Sequence, residues 1–161
     1  MVGSRLARGG IVAVLMLLAA ALSGCVRAGQ GDPVAEGTYV AAMRGPADAL
    51  TTVAMAANDT CAGGSHPDPA TCYADTEKEI AAVQALQTAL HGVPTPSRFA
   101  RANTDFLKGL DVMLAGLTER NQGLAGRSSS QYKAGNDMVN QSLDLQKAAL
   151  AEYPSGSGIT T

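Results

Sequence analysis

The chain is poor in the residues that most enzyme chemistry requires. It has two histidines, His66 and His91, and neither has a carboxylate three or four positions away on the same helical face. Di-iron helical bundles need Glu-x-x-His pairs pointing inward, and none occurs. The H-E-x-x-H, G-x-S-x-G and C-x-x-C-H motifs are missing, as is a glycine-rich phosphate loop. No stretch alternates apolar and polar residues as a half-buried strand does. There is no basic cluster either: 12 Lys+Arg face 14 Asp+Glu, a formal charge of −2. That balance excludes the electrostatic footprint of a nucleic-acid binder. The expectation is a protein that is not an enzyme and holds no cofactor.

What the chain does have begins at its N-terminus. Arg5 and Arg8 precede an apolar run of twelve residues, 11–22. The run is shorter than the ~20 residues that span a bilayer as a helix, and it closes on small residues. This is the pattern of an export signal. Its end, Leu22-Ser23-Gly24-Cys25, resembles the lipobox of bacterial lipoprotein precursors. The resemblance covers residues 1–25 alone. It implies that residues 1–24 are a cleaved signal peptide and that the Cys25 thiol receives a diacylglyceryl group. The new amino group would take a further acyl chain such as palmitate. The product would sit on the extracytoplasmic side of the cell membrane, where two acyl chains give the stable attachment that one does not. Losing Arg5 and Arg8 leaves ten basic against fourteen acidic residues and a charge of −4. Anionic headgroups therefore add no attraction, and the lipid must do the holding. With arginines twice as frequent as lysines and many small residues, the chain loosely resembles helical lipoproteins of actinobacteria. No motif in that resemblance assigns a functional residue.

With Cys25 given to lipid, Cys61 and Cys72 remain in a compartment that permits disulfides. Ten residues separate them, including Gly63, Gly64, Pro67 and Pro69, and closing such a loop is worth roughly 3 kcal/mol. The other readings are a free or redox-active pair, or a metal site of Cys61, His66 and Cys72. The metal reading lacks a fourth ligand and a zinc-knuckle spacing. The expectation is the bridge, with no metal.

Residues 25–37 read as the lipidated cysteine and a flexible tether, 38–153 as a helical domain and 154–161 as a disordered tail. Four helices are expected, at about 38–59, 72–91, 96–125 and 131–153. In the last, Tyr132, Met138, Val139, Leu143, Leu145, Ala149, Leu150 and Tyr153 fall on one half of the wheel. The third carries Phe99, Ala102, Phe106, Leu110, Met113, Leu114, Leu117 and Leu124, with Thr95 as a cap and Pro96 opening the helix. The second points Ile80, Val83, Leu86 and Leu90 inward, and Thr76 with Glu79 fits a capping box near its start. Ser128 with Gln131 fits another, and Gly126 suits the position just past the third helix. Gly45-Pro46 predicts a kink or break in the first helix. Met43, Met55, Met113 and Met138 read as core filler rather than as a copper site. The fold class is a small all-α, up-and-down four-helix bundle with one disulfide.

Polar residues interrupt these apolar arcs: Asn103, Arg120 and Asn121 on the third helix, Asn136 and Gln146 on the fourth, Gln84 or Gln87 on the second. Arg120, Asn121 and Asn136 are expected at one level of a hairpin. Buried polar groups cost roughly 1–3 kcal/mol each when unpaired. They must pair with one another as a layer that fixes helix register, or line a pocket. Asn103, Arg120, Asn121 and Asn136 are the candidate ligand-binding residues. Two functions follow. The first is a lipid-anchored, non-catalytic interaction or scaffolding module with an envelope protein partner. The alternative is an extracytoplasmic binder of a small ligand or metal.

Overall fold

The computed structural model describes residues 32–62, 68–154, 157 and 159. The segment 1–24 expected to be a signal peptide, the expected lipidation position Cys25, and His66 lie outside them. Four helices follow in order: α1 Pro33–Ala62, α2 Pro69–Gly92, α3 Ala100–Ala125 and α4 Ser129–Ala151, with a 3₁₀ turn at Ser97–Phe99 ahead of α3. Among the described residues there is no strand, and the architecture is the expected four-helix bundle. Each helix packs on the next in sequence, and α3 meets α4 most closely.

Aspartate followed by proline starts two of the helices. The Asp32 carboxylate accepts from Val34 N at 3.0 Å and Ala35 N at 3.2 Å, and Pro33 opens α1. Asp68 does the same for α2, accepting from Ala70 N at 3.3 Å and Thr71 N at 3.2 Å ahead of Pro69. Proline suits the first helical position because its missing N–H would be unpaired there anyway. The last five residues of the stretch read as tether, 33–37, are thus the start of α1.

Of the kink or break expected at Gly45-Pro46, the break does not occur: α1 runs on through Pro46. An internal proline costs about 3 kcal/mol. Against it stands one unbroken buried face, with Tyr39, Met43, Leu50, Ala54 and Ala57 all within 1 % of full burial. A large apolar side chain contributes about 1.5–3 kcal/mol when fully buried. A break would put one half of that face out of phase with the other.

The start of α3 also departs from expectation. Thr95 caps nothing; its hydroxyl accepts from Asn103 Nδ2 at 3.1 Å. Pro96 leads into the 3₁₀ turn, where Phe99 N donates to the Pro96 carbonyl at 2.8 Å. Ser128 does cap α4, through Gln131 N at 3.3 Å. The turn between them places the left-handed residue one position later than expected. Gly126 is right-handed (φ −81°), and Arg127 takes φ 52°. Ser128 N then reaches the Gly123 carbonyl at 2.8 Å and Arg127 N the Leu124 carbonyl at 3.3 Å, the paired bonds of a Schellman motif.

The core is one cluster: Tyr39, Met43 and Leu50 from α1, Val83, Leu86 and Leu90 from α2, Phe106, Leu110, Met113 and Leu117 from α3, and Val139, Leu143 and Leu150 from α4. Two residues of the segment read as a tail join it. Ser157 is fully buried, Ile159 is 6 % exposed and belongs to the core, and a turn from Ser157 N to the Pro154 carbonyl brings the chain back. Leu145, read as inward, is 38 % exposed, and Met138 is half-buried. The reason is the seam between α3 and α4, which glycine fills in place of large side chains. A Cβ at Gly116 would meet the Gly135 carbonyl oxygen and Val139 N at 2.9 Å, and one at Gly123 would meet Tyr132 Cα at 2.8 Å.

Two substitutions test these features by denaturant unfolding. Gly116→Ala forces backbone apart and is expected to cost on the order of 1–3 kcal/mol or more. Arg127→Gly relieves a left-handed residue at a solvent-exposed position and is expected to gain about 0.5–1 kcal/mol.

Candidate functional site

The polar interruptions resolve into two buried clusters at opposite ends of the bundle. Both ends are identified by what crosses them. At one, Arg98 pairs with Glu36 at 3.2 Å and Arg101 with Glu152 at 3.1 Å, joining the starts of α1 and α3 to the end of α4. At the other, Cys61 is bridged to Cys72 with the Cα atoms 4.9 Å apart, and the Tyr132 hydroxyl donates to the Cys61 carbonyl at 3.3 Å.

The cluster at the disulfide end is built on Arg120. Its Nη2 donates to Glu79 Oε2 at 2.6 Å and to Thr76 Oγ1 at 3.0 Å. All three side chains are buried, with Arg120 5 %, Glu79 2 % and Thr76 0 % exposed. The Thr76 hydroxyl donates in turn to the Cys72 carbonyl at 2.8 Å, so α3 is tied through α2 to the bridge. The neighbouring Asn121 Nδ2 donates to Glu77 Oε1. Thr60 on α1 donates to Asp75 Oδ2 at 3.0 Å, and Lys78 Nζ lies 2.7 Å from Asp75 Oδ1. The lysine, then the threonine, hold the Asp75 carboxyl below its usual range. Burial pushes Glu79 above the ordinary carboxylate range, and the Arg120 guanidinium pulls it part of the way back.

Thr76 and Glu79 therefore do not cap α2, which begins two turns earlier at Pro69. They lie on its buried face. Their positions were legible in another way: Cys72, Thr76, Glu79, Val83, Leu86 and Leu90 recur at alternating intervals of four and three, the stripe of a core-facing helix. The carboxylate facing Arg120 continues the apolar stripe of α2.

The second cluster surrounds Phe99. Its ring centroid lies 5.6 Å from that of Tyr39 and 5.4 Å from that of Tyr153. The Tyr39 hydroxyl donates to Asn103 Oδ1 at 2.6 Å, so the 3.2 Å contact between the two phenols has Tyr153 as its donor. Burial raises the Tyr39 phenol to about 12, with the bond from Tyr153 opposing, and burial raises Tyr153 as well.

The four candidate ligand-binding residues do not share a site. Asn103 and Arg120 are seventeen positions apart on α3, about 25 Å at 1.5 Å per residue. Arg120 and Asn121 both turn to α2. Asn136 is half-buried on α4 and takes part in none of these bonds. Gln146, fully buried, donates to Met113 Sδ at 3.8 Å. Gln87 joins Asp111 on the surface at 2.7 Å. Together with Gln84, Thr88, His91 and Leu114 they line an open depression between α2 and α3. No group of three or more metal-ligating side chains occurs among the described residues.

No family model, no curated protein and no solved structure matches this chain.

The ion pair yields a test by denaturant unfolding at several pH values. Arg120→Ala leaves the Glu79 carboxylate buried without its partner, with an expected cost of about 3–5 kcal/mol near neutral pH. A carboxyl raised by the fold contributes its stability below the unfolded value and loses it as pH rises through the folded one. Without Arg120 the raising cause acts alone, so the variant should lose more stability at pH 8 than at pH 5. Replacing both partners (Arg120→Met with Glu79→Leu) should recover most of the loss. An Arg120→Ala deficit independent of pH would refute the pairing.

Proposed function

We propose that the protein is a lipid-anchored, non-catalytic interaction or scaffolding module of the bacterial cell envelope, held on the extracytoplasmic face of the cell membrane by Cys25. The observation that carries this reading is Leu22-Ser23-Gly24-Cys25 closing an apolar run behind Arg5 and Arg8. Among the described residues no helix is long and apolar enough to cross a bilayer. A bridged cysteine pair at Cys61 and Cys72 suits an oxidising compartment. Arg120, Asn121 and Asn103 are engaged with Glu79, Glu77 and Tyr39, which supports a packing role for them over a ligand-binding one.

A second reading, an extracytoplasmic binder of a small ligand or metal, draws on the open depression lined by Gln84, Gln87, His91 and Asp111. Native mass spectrometry of the purified protein distinguishes the two: a retained small molecule or metal supports this second reading.

The anchor itself is tested in a bacterial host by detergent phase partitioning and by the mass of the N-terminal peptide. Wild-type protein should enter the detergent phase and begin at a Cys25 carrying diacylglyceryl. Cys25→Ser should stay in the aqueous phase. A mature wild-type protein with an unmodified N-terminus would overturn the reading.

A further inference from the structure

The distance between Cys25 and the first turn of α1 limits how the bundle can sit on a membrane. Pro33 is only eight positions beyond Cys25. At 3.3–3.6 Å per residue, even a taut chain spans at most about 28 Å. α1 itself has 30 residues and is about 45 Å long. Its start therefore stays near the lipid, while its far end, Cys61, can be carried well beyond the reach of the tether.

Charge distinguishes standing from lying. Around the start of α1, Arg98, Arg101 and Lys108 nearly balance Asp32, Glu36, Asp105 and Glu152. The excess of negative charge lies along the remaining described length, where ten acidic residues, Asp48 and Asp59 among them, face six basic ones. A bilayer containing anionic lipid repels those sides. The near end also bears Val34, 77 % exposed in the first turn of α1, an apolar side chain suited to the headgroup boundary.

We infer that the bundle stands end-on upon a phospholipid surface. The start of α1, the 93–98 connection and the end of α4 face the lipid, and the Cys61–Cys72 bridge and the α3–α4 turn point outward. The inference rests on lipidation of Cys25 and adds which end of the bundle faces the lipid. The bridge, Thr60–Asp75, Arg120–Glu79 and Tyr132–Cys61 join all four helices there. The end most distant from the anchor is thus a single crosslinked platform.

Energy transfer tests this on the lipidated full-length protein in vesicles of mixed phosphatidylglycerol and phosphatidylethanolamine. A fluorescent amino acid replaces Val34, Asp48 or Arg127 in turn, all of them exposed, with acceptor-labelled lipid in the bilayer. Transfer should be strongest from position 34, intermediate from 48 and at least several-fold weaker from 127. Strong, equal transfer from all three positions overturns the orientation while leaving the anchor intact. Absence of transfer from every position sinks the anchor and the orientation together.

Discussion

Helices α3 and α4 meet backbone to backbone, and much of the rest of the molecule follows from that contact. A side chain at Gly135 would run into the Gly116 carbonyl oxygen at 2.6 Å and Arg120 Cα at 2.7 Å. With the α4 main chain pressed against Arg120, the long guanidinium side chain has no room on that side and turns to α2. There it would be a buried, unpaired charge, a state costing several kcal/mol, unless α2 supplied an anion. Glu79 supplies it. The same closeness explains why α4 needs few large residues on its α3 side and why Leu145 is left facing solvent.

The ion pair and the disulfide belong to one network. Arg120 holds Thr76, Thr76 donates to the Cys72 carbonyl, and Cys72 is bridged to Cys61, whose own carbonyl receives Tyr132 from α4. Among the described residues, α1 is bonded to α4 through Tyr132 at this end and to Tyr153, just past α4, through Tyr39 at the other. The α1–α2 hairpin is thus fastened to a tight α3–α4 hairpin at its two ends, with apolar side chains between.

Polar side chains buried in the bundle bond mainly between helices, and those bonds tie one helix to another at a set register. The bundle's two ends differ: one carries the Arg98–Glu36 and Arg101–Glu152 pairs, the other the Cys61–Cys72 crosslink.

The sequence by itself determined the helical class, the number of helices, the inward faces of Tyr39, Phe106, Leu110 and Leu150, and the pairing of Cys61 with Cys72. Those properties depend on local periodicity and on spacing within one loop, which neighbouring residues display. It also marked Asn103, Arg120 and Asn121 as polar side chains on buried faces. It did not show where they would turn. Thr76 and Glu79 match a capping box as well as a core stripe, and α1 passes Gly45-Pro46 because its buried face extends over both sides of the proline. Gly116 and Gly135, nineteen positions apart, acquire meaning only when two backbones touch. Such choices belong to tertiary structure because each is a contest between a local preference of a few kcal/mol and contacts made by residues distant in the chain.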